Sequence, residues 1–442
     1  MNQSVARGSG YRELGGELFR MTWPMCFGVV ALLGFQLVDS AFIARLGVEP
    51  LAALGFTVPV MQLVIGVQVG IGIATTAVIA RVIGRGEPES AHRIGGLVVV
   101  AGSLVMLLLV TTLWLLRHPL TTAMGASDAI APLIDAYWAP WLVSAWLGAV
   151  LYIGYSLCRA QGDTRLPGLF MLITSLMNLA LDPIFIFSLG WGLPGAALAT
   201  IVALGSGAIV VYAVLWRRRW LVLDLAAVPA ARTLQWLASI AGPAMVSQLL
   251  PPVTAMLATG LVARYGSDAV GAWGLGSRLE FFSIVVVLAL TMSLPPMIAR
   301  LVGQGDIARI RVLVRLAIGF VIAWQLAVAA IWLIGHQAFA ALLAGDVAVR
   351  AHLADYLLRV PLSYAGLGVC MLVVSACNAL GWPLRALLAS VLRLFVCFLP
   401  ALWLGAAWGG LTGLFTGALV GNIAAGLSAW LVYARAMRGW SY

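Results

Sequence analysis

Lysine is absent from this 442-residue chain, whose 26 basic residues are all arginine. No side-chain amine is available for a Schiff base, which excludes retinal-type attachment. No Gly-x-x-x-x-Gly-Lys-Ser/Thr loop exists to cradle a nucleotide phosphate, so drive by an ion gradient is favoured over drive by ATP. Charge of either sign is scarce at 10% of residues. The four histidines (His92, His118, His336, His352) are scattered and form no His-Glu-x-x-His pair. An intramembrane enzyme would want such a cluster or a nucleophile with a base, so the chain is not read as an enzyme. Cys26, Cys158, Cys370, Cys377 and Cys397 are odd in number and lie in or beside apolar stretches, so they read as small core residues and not as a disulfide framework.

What is present is apolar: 62% of residues are hydrophobic and the mean hydropathy is +1.03, far outside the range of soluble domains. A spanning helix needs about 20 apolar residues. Segments meeting that rule fall near 20–44, 50–81, 94–116, 129–157, 167–189 and 192–216, then 235–263, 269–299, 312–335, 350–376, 384–406 and 411–434. The expected fold class is therefore an all-α polytopic membrane protein of twelve transmembrane helices. Six belong to an N-lobe (1–216) and six to a C-lobe (234–442), joined by a polar linker (217–233) that opens on Arg217-Arg218-Arg219. The apolar run after residue 19 is too long for a signal-peptide core, so the N-terminus is read as retained. With the loops alternating sides, nineteen of the 26 arginines fall on the side shared by both termini, which places both termini in the cytoplasm. The net charge of +10 has that origin and implies no nucleic-acid partner.

The two halves repeat at a constant offset of 219. Ala44-Arg45-Leu46-Gly47 recurs as Ala263-Arg264-Tyr265-Gly266, and Ala80-Arg81-Val82-Ile83-Gly84 recurs as Ala299-Arg300-Leu301-Val302-Gly303. Each unit has an even number of spans, so the repeats share one orientation and their pseudo-two-fold axis should run along the membrane normal, with two lobes flanking a central cleft. The offset also shows what is not duplicated: Asp39 maps to Ala258, Asn178 to Cys397 and Asp182 to Ala401. Buried acid chemistry belongs to the first lobe.

Asp39 follows the uncharged stretch Met21–Val38, which puts a carboxylate inside hydrocarbon at a cost of roughly 2.5–3.5 kcal/mol on insertion scales. Such a group exchanges a proton or binds a cation; the alternative is an acid that snorkels to the outer headgroups. Asn178 and Asp182 are one turn apart on one face of the fifth span, and Pro183 leaves the carbonyl of Leu179 free beside them. At about 1.5 Å per residue, Asp39, Asp182, Tyr137 and Thr200 all reach the outer half of the bilayer and can meet in one pocket. Asn178, Thr200 and Tyr137 are also readable as ordinary interhelical hydrogen-bonding residues. Arg278 and Glu280, two apart, do not face each other, so their partners are sought on neighbouring spans, Arg393 first. Asp355 and Arg359 have the spacing of a local pair, and Asp135 reads as solvated at the outer end of the fourth span.

In combination, Val38-Asp39-Ser-Ala-Phe-Ile-Ala-Arg45-Leu-Gly47, Arg159-Ala-Gln-Gly-Asp-Thr-Arg165, Asn178-Leu-Ala-Leu-Asp182-Pro183 and Gly195-Ala-Ala-Leu-Ala-Thr200 resemble multidrug and toxic compound extrusion (MATE) transporters, most of all the DinF branch. The resemblance covers nearly the whole chain. It implies a V-shaped pair of six-helix lobes in the cell inner (plasma) membrane, acting as a monomer without a cofactor. It also implies export of organic, often cationic or lipophilic, drugs against an inward flow of H⁺ or Na⁺. The family's N-lobe cation site then corresponds to Asp39, Asn178, Asp182 and Thr200 with Tyr137 nearby, and Asp39, Asp182 and Asn178 would ligate the ion if it is sodium. Gln36, Phe35, Gln248, Glu280 and Arg278 are candidates for substrate contact or gating. Phe35 stands where relatives sometimes carry tyrosine, which leaves one hydrogen bond of that site without its usual donor. A lipid or lipid-linked oligosaccharide flippase is the nearest rival, but it wants a strongly basic cleft, and the spans supply only Arg278, Arg359 and Arg393 to one.

Overall fold

The computed structural model describes residues 2–125, 131–224 and 229–440, with side chains described outside 2–10, 48, 51 and 52; residues 225–228 of the expected linker lie outside it. The first half comprises α1 (Asn2–Ala44), α2 (Val48–Gly84), α3 (Pro88–Leu115), the short α4 (Arg117–Ala123), α5 (Ala131–Ala160), α6 (Arg165–Pro183) and α7 (Gly192–Arg217). The second half comprises α8 (Ala230–Val262), α9 (Ser267–Ser283), α10 (Val285–Gln304), α11 (Ile307–Leu343), α12 (Val347–Arg359), α13 (Tyr364–Ala379), α14 (Pro383–Val391) and α15 (Leu399–Arg438). Single π-turn stretches, Ile184–Ser188 and Leu392–Phe398, continue α6 and α14.

Eleven helices among the described residues are long and apolar enough to cross a membrane. The last of them, Pro383–Arg438, is 56 residues long and breaks at Gly409 (φ −136°) and Gly410 (φ +59°), the second of which only glycine adopts easily, so it supplies two crossings and the expected twelve result. The expected span 269–299 is not one continuous helix, because the backbone breaks at Ile284 between α9 and α10. Inside a bilayer a carbonyl released by such a break needs a partner within the protein. The fully buried Gln325 of α11 donates through Nε2 to the Ser283 carbonyl (3.2 Å), and Trp332 Nε1 donates to the Ser283 hydroxyl (2.9 Å).

The chain divides into two compact units, Arg20–Met245 and Met1–Phe19 with Val246–Tyr442. The first helix of each half is therefore split: α1 before residue 20 belongs with the second unit, where Glu13 pairs with Arg309 (2.8 Å), and α8 up to Met245 belongs with the first. The core of the first unit gathers Trp138, Trp141, Tyr137 and Ile43 with Val60 and Met106. Its counterpart stacks Trp273 on Phe415 (6.3 Å between ring centres) and sets Tyr356 edge-on to both.

Since lipid is as apolar as leucine, close backbone approach at small residues drives helix association in a membrane. A Cβ at Gly168 would collide with the carbonyl of Pro24, and one at Gly28 would sit 3.1 Å from the Gly168 carbonyl oxygen. This pair of glycines seats α1 directly on α6. Asp163, in the turn before α6, accepts from the backbone N–H groups of Arg165 (3.0 Å) and Leu166 (3.1 Å) and from Arg218 (2.7 Å), fixing where α6 begins. The polar stretch between α5 and α6 thus anchors a helix end. Gly168→Ala is expected to cost about 1–3 kcal/mol through overpacking, seen as a lower thermal unfolding midpoint in detergent, whereas Gly16→Ala inside α1, with no atom within 4 Å of the new methyl, does not lower the midpoint.

Candidate functional site: a carboxylate pair in the first unit

The buried residues of α6 include Met171, Thr174, Ser175, Asn178 and Asp182, a stripe at helical spacing that turns polar toward the end of the helix. Asp182 is fully enclosed (0% exposed) and Asn178 nearly so. Pro183 then ends the regular α-helix and the π-turn stretch follows, a helix irregularity frequent at functional sites. Gly195 lets α7 approach that stretch, since a Cβ there would lie 2.6 Å from the Phe185 carbonyl oxygen. Thr200, little more than one turn further along α7, is thereby brought beside α6.

The five residues expected to meet do so. The Asn178 amide lies between Thr200 and Asp182. With its oxygen accepting from the Thr200 hydroxyl (2.8 Å), its nitrogen donates to both carboxylate oxygens of Asp182 at 2.9 Å, the orientation in which every atom faces a complementary partner. The Thr200 hydroxyl also lies 3.0 Å from the carbonyl of Ala196. Asp39, half-buried on α1, faces Asp182 within side-chain hydrogen-bonding reach. Tyr137 of α5, 4% exposed, stands within electrostatic range of both acids and stacks on Trp141. Asp39 Oδ1 is buried without a hydrogen-bond partner among the described residues. Two carboxylates cannot donate to each other, and a proton held between the acids or a cation would satisfy this oxygen. No group of three or more His, Cys, Asp or Glu side chains that could hold a metal occurs among the described residues. A metal ion here would have to recruit the amide and hydroxyl oxygens of Asn178 and Thr200.

The remaining candidates fall elsewhere. Phe35 is half-buried and Gln36 exposed on α1, where the Gln36 carbonyl accepts from Ser40 (2.9 Å). Gln248 on α8 and Glu280 on α9 are half-buried, and Arg278 is exposed. Glu280 lies within electrostatic range of Arg393, the partner looked for, and of Tyr356 and Tyr364, two neighbours that sequence spacing alone could not indicate. Arg393 Nε is buried without a hydrogen-bond partner among the described residues. Asp355 and Arg359 form the expected local ion pair, and Thr412 donates to Asp355 (2.7 Å). Asp135 is not merely solvated: it accepts from Arg117 Nε (2.8 Å) and lies 3.4 Å from His118.

Comparison with known proteins is consistent across the chain. The MatE family model matches residues 24–184 and again 243–404, two segments whose starts differ by the repeat offset of 219. A Shewanella oneidensis protein named FAD transporter is 31% identical, covering 96% of this chain and 95% of its own. The Multidrug export protein MepA of Staphylococcus aureus is 23% identical, with 94% and 92% covered. The crystal structure of a point mutant of the Vibrio cholerae MATE transporter VcmN superposes with a TM-score of 0.97 at 51% identity, covering 98% of this chain and 99% of that one. The repeat, the twelve crossings in two lobes and these matches together make the chain a member of the MATE family of membrane transporters.

Proposed function

We propose that the protein is a secondary active multidrug efflux antiporter of the inner membrane. In this reading it exports organic, often cationic or lipophilic, compounds while H⁺ enters through the Asp39–Asp182 pair, and both termini are cytoplasmic. The observation that carries the coupling reading is the orphaned Asp39 Oδ1 facing a carboxylate whose two oxygens already accept from Asn178. With no ion between the acids, the hydrogen-bond network assigns the Asn178 nitrogen to them, and a bound sodium ion would have to turn the amide oxygen inward instead. A proton entering down 100 mV supplies roughly 2.3 kcal/mol, enough to move a two-state equilibrium at most roughly fiftyfold. When both acids are charged they repel and draw water or a cation between them; when protons arrive, each becomes a donor and the pocket closes. α1 is one continuous helix through Gly34, a few residues before Asp39, and that glycine is where the helix would bend as the pocket closes. The Vibrio cholerae relative has also been solved in what is described as a bent form, at 52% identity, which supports such a movement. The name of the Shewanella relative favours a second reading of the cargo, a flavin nucleotide.

In proteoliposomes with the pH and sodium gradients imposed separately, the pH gradient alone is expected to drive export of a cationic dye; drive by sodium alone would overturn proton coupling. Flavin nucleotide offered in place of the dye separates the two cargo readings. Asp39→Asn keeps the shape of the side chain and loses its titration, so it should abolish gradient-driven export with folding intact, and cells expressing it should lose resistance. Asp182→Asn should cost more transport than Glu280→Gln, because the coupling pair lies in the first unit; the reverse ranking would move the site to Glu280 and Arg393.

A further inference from the structure

The offset of 219 pairs His92 and Gly96 on α3 with Arg311 and Arg315 on α11. In the first unit this stretch of α3 is covered by the chain's own connection after α7. The Val222 N–H donates to the His92 carbonyl (3.2 Å), and the approach is so close that a Cβ at Gly96 would collide with the Val222 carbonyl. In the second unit the equivalent place is a cavity of about 380 Å³ lined by Arg311, Arg315, Trp430, Tyr433, Met437 and Arg438. Arg311 and Arg315 are one turn apart on the same face, where like charges destabilise a helix unless an anion lies between them. Arg311 spends one Nη2 contact on the Met437 carbonyl (2.8 Å). Among the described residues, no acidic side chain lines the cavity. Tyr433 is 3% exposed, within electrostatic range of Arg311 and Arg315, and its hydroxyl is buried without a hydrogen-bond partner among the described residues.

We propose that this cavity binds the phosphate headgroup of an anionic phospholipid from the arginine-rich leaflet. Arginine forks suit phosphate oxygens, and the buried Tyr433 hydroxyl supplies a further donor. Trp430, tilted against Tyr433 (5.5 Å), is the amphipathic ring expected at headgroup depth. The exposed Leu431 and Leu427, one and two turns before Arg435 near the end of α15, offer a lipid-facing surface for the acyl chains. Basic pockets between helices at this membrane face are suited to such headgroups. The site is independent of the carboxylate pair and of the coupling ion.

The test is binding of phosphatidylglycerol to the detergent-purified full-length protein, followed by native mass spectrometry and thermal stabilisation, with phosphatidylcholine and inorganic phosphate as separate arms. Phosphatidylglycerol is expected to stay bound and raise the unfolding midpoint, with phosphatidylcholine and phosphate doing neither. Arg315→Gln/Arg438→Gln, which removes two exposed charges, should weaken it at least about tenfold, and Tyr433→Phe by a few-fold with the fold retained. The control Arg217→Gln/Arg219→Gln, with the same loss of charge at the end of α7, should bind as the unaltered protein does. Equal loss in that control would assign the effect to diffuse surface charge and overturn the site. Saturation by inorganic phosphate alone would overturn the lipid as its ligand.

Discussion

Two carboxylates that face each other in hydrocarbon are held apart by repulsion unless a proton or a cation lies between them, and the first unit is built to keep Asp39 and Asp182 in that position. Gly28 and Gly168 press α1 onto α6, which brings the acid-bearing parts of the two helices together. Asn178 occupies both oxygens of Asp182 and is itself held by Thr200, whose position depends on Gly195 lying against the Phe185 carbonyl. The π-turn stretch after Pro183 ends regular helix geometry directly beyond the acid. In the proposed function, occupancy of the pair is coupled to the packing of three helices, α1, α6 and α7. That linkage is what a gradient-driven transporter needs, because an ion shifts only an equilibrium whose two states it binds differently.

The internal repeat lets one backbone plan carry different chemistries. Where the first unit has Asp39, Asn178 and Asp182, the second has Ala258, Cys397 and Ala401, and both alanines lie in packed helices. The second unit places its own polar groups, the half-buried Glu280 and Arg393 and the buried Tyr364, at positions the offset does not relate to the acid pair, and adds Tyr356, the offset mate of Tyr137. The same divergence appears at the arginine-rich face, where His92 and Gly96 lie under a chain segment while Arg311 and Arg315 line a cavity.

Much of the site was legible because charge is so scarce that each buried acid stands out. One-turn spacing put Asn178 and Asp182 on one face, and counting residues from the membrane edges put Asp39, Tyr137 and Thr200 at the same depth. What spacing could not reveal was orientation: the Asn178 amide bridges Thr200, 22 positions away, to Asp182, and only tertiary packing decides that. The gap left at 407–410 between the last two expected spans coincides with the break at Gly409–Gly410. The break at Ile284 was hidden, because the groups that satisfy it, Gln325 and Trp332, lie on another helix and no local glycine or proline marks it. The partner of the part-exposed Asp135 was hidden as well, Arg117 being 18 residues earlier and brought back by the short α4.

In the proposed function, Asp39 and Asp182 share and exchange a proton. Infrared difference spectroscopy on the purified transporter, scanned in pH with and without sodium, reads that proton directly as a protonated-carboxyl band. The account predicts a band present at low pH, lost as pH rises in sodium-free buffer, and absent from the Asp39→Asn protein. A spectrum insensitive to pH but altered by sodium would contradict it and make the pair a sodium site.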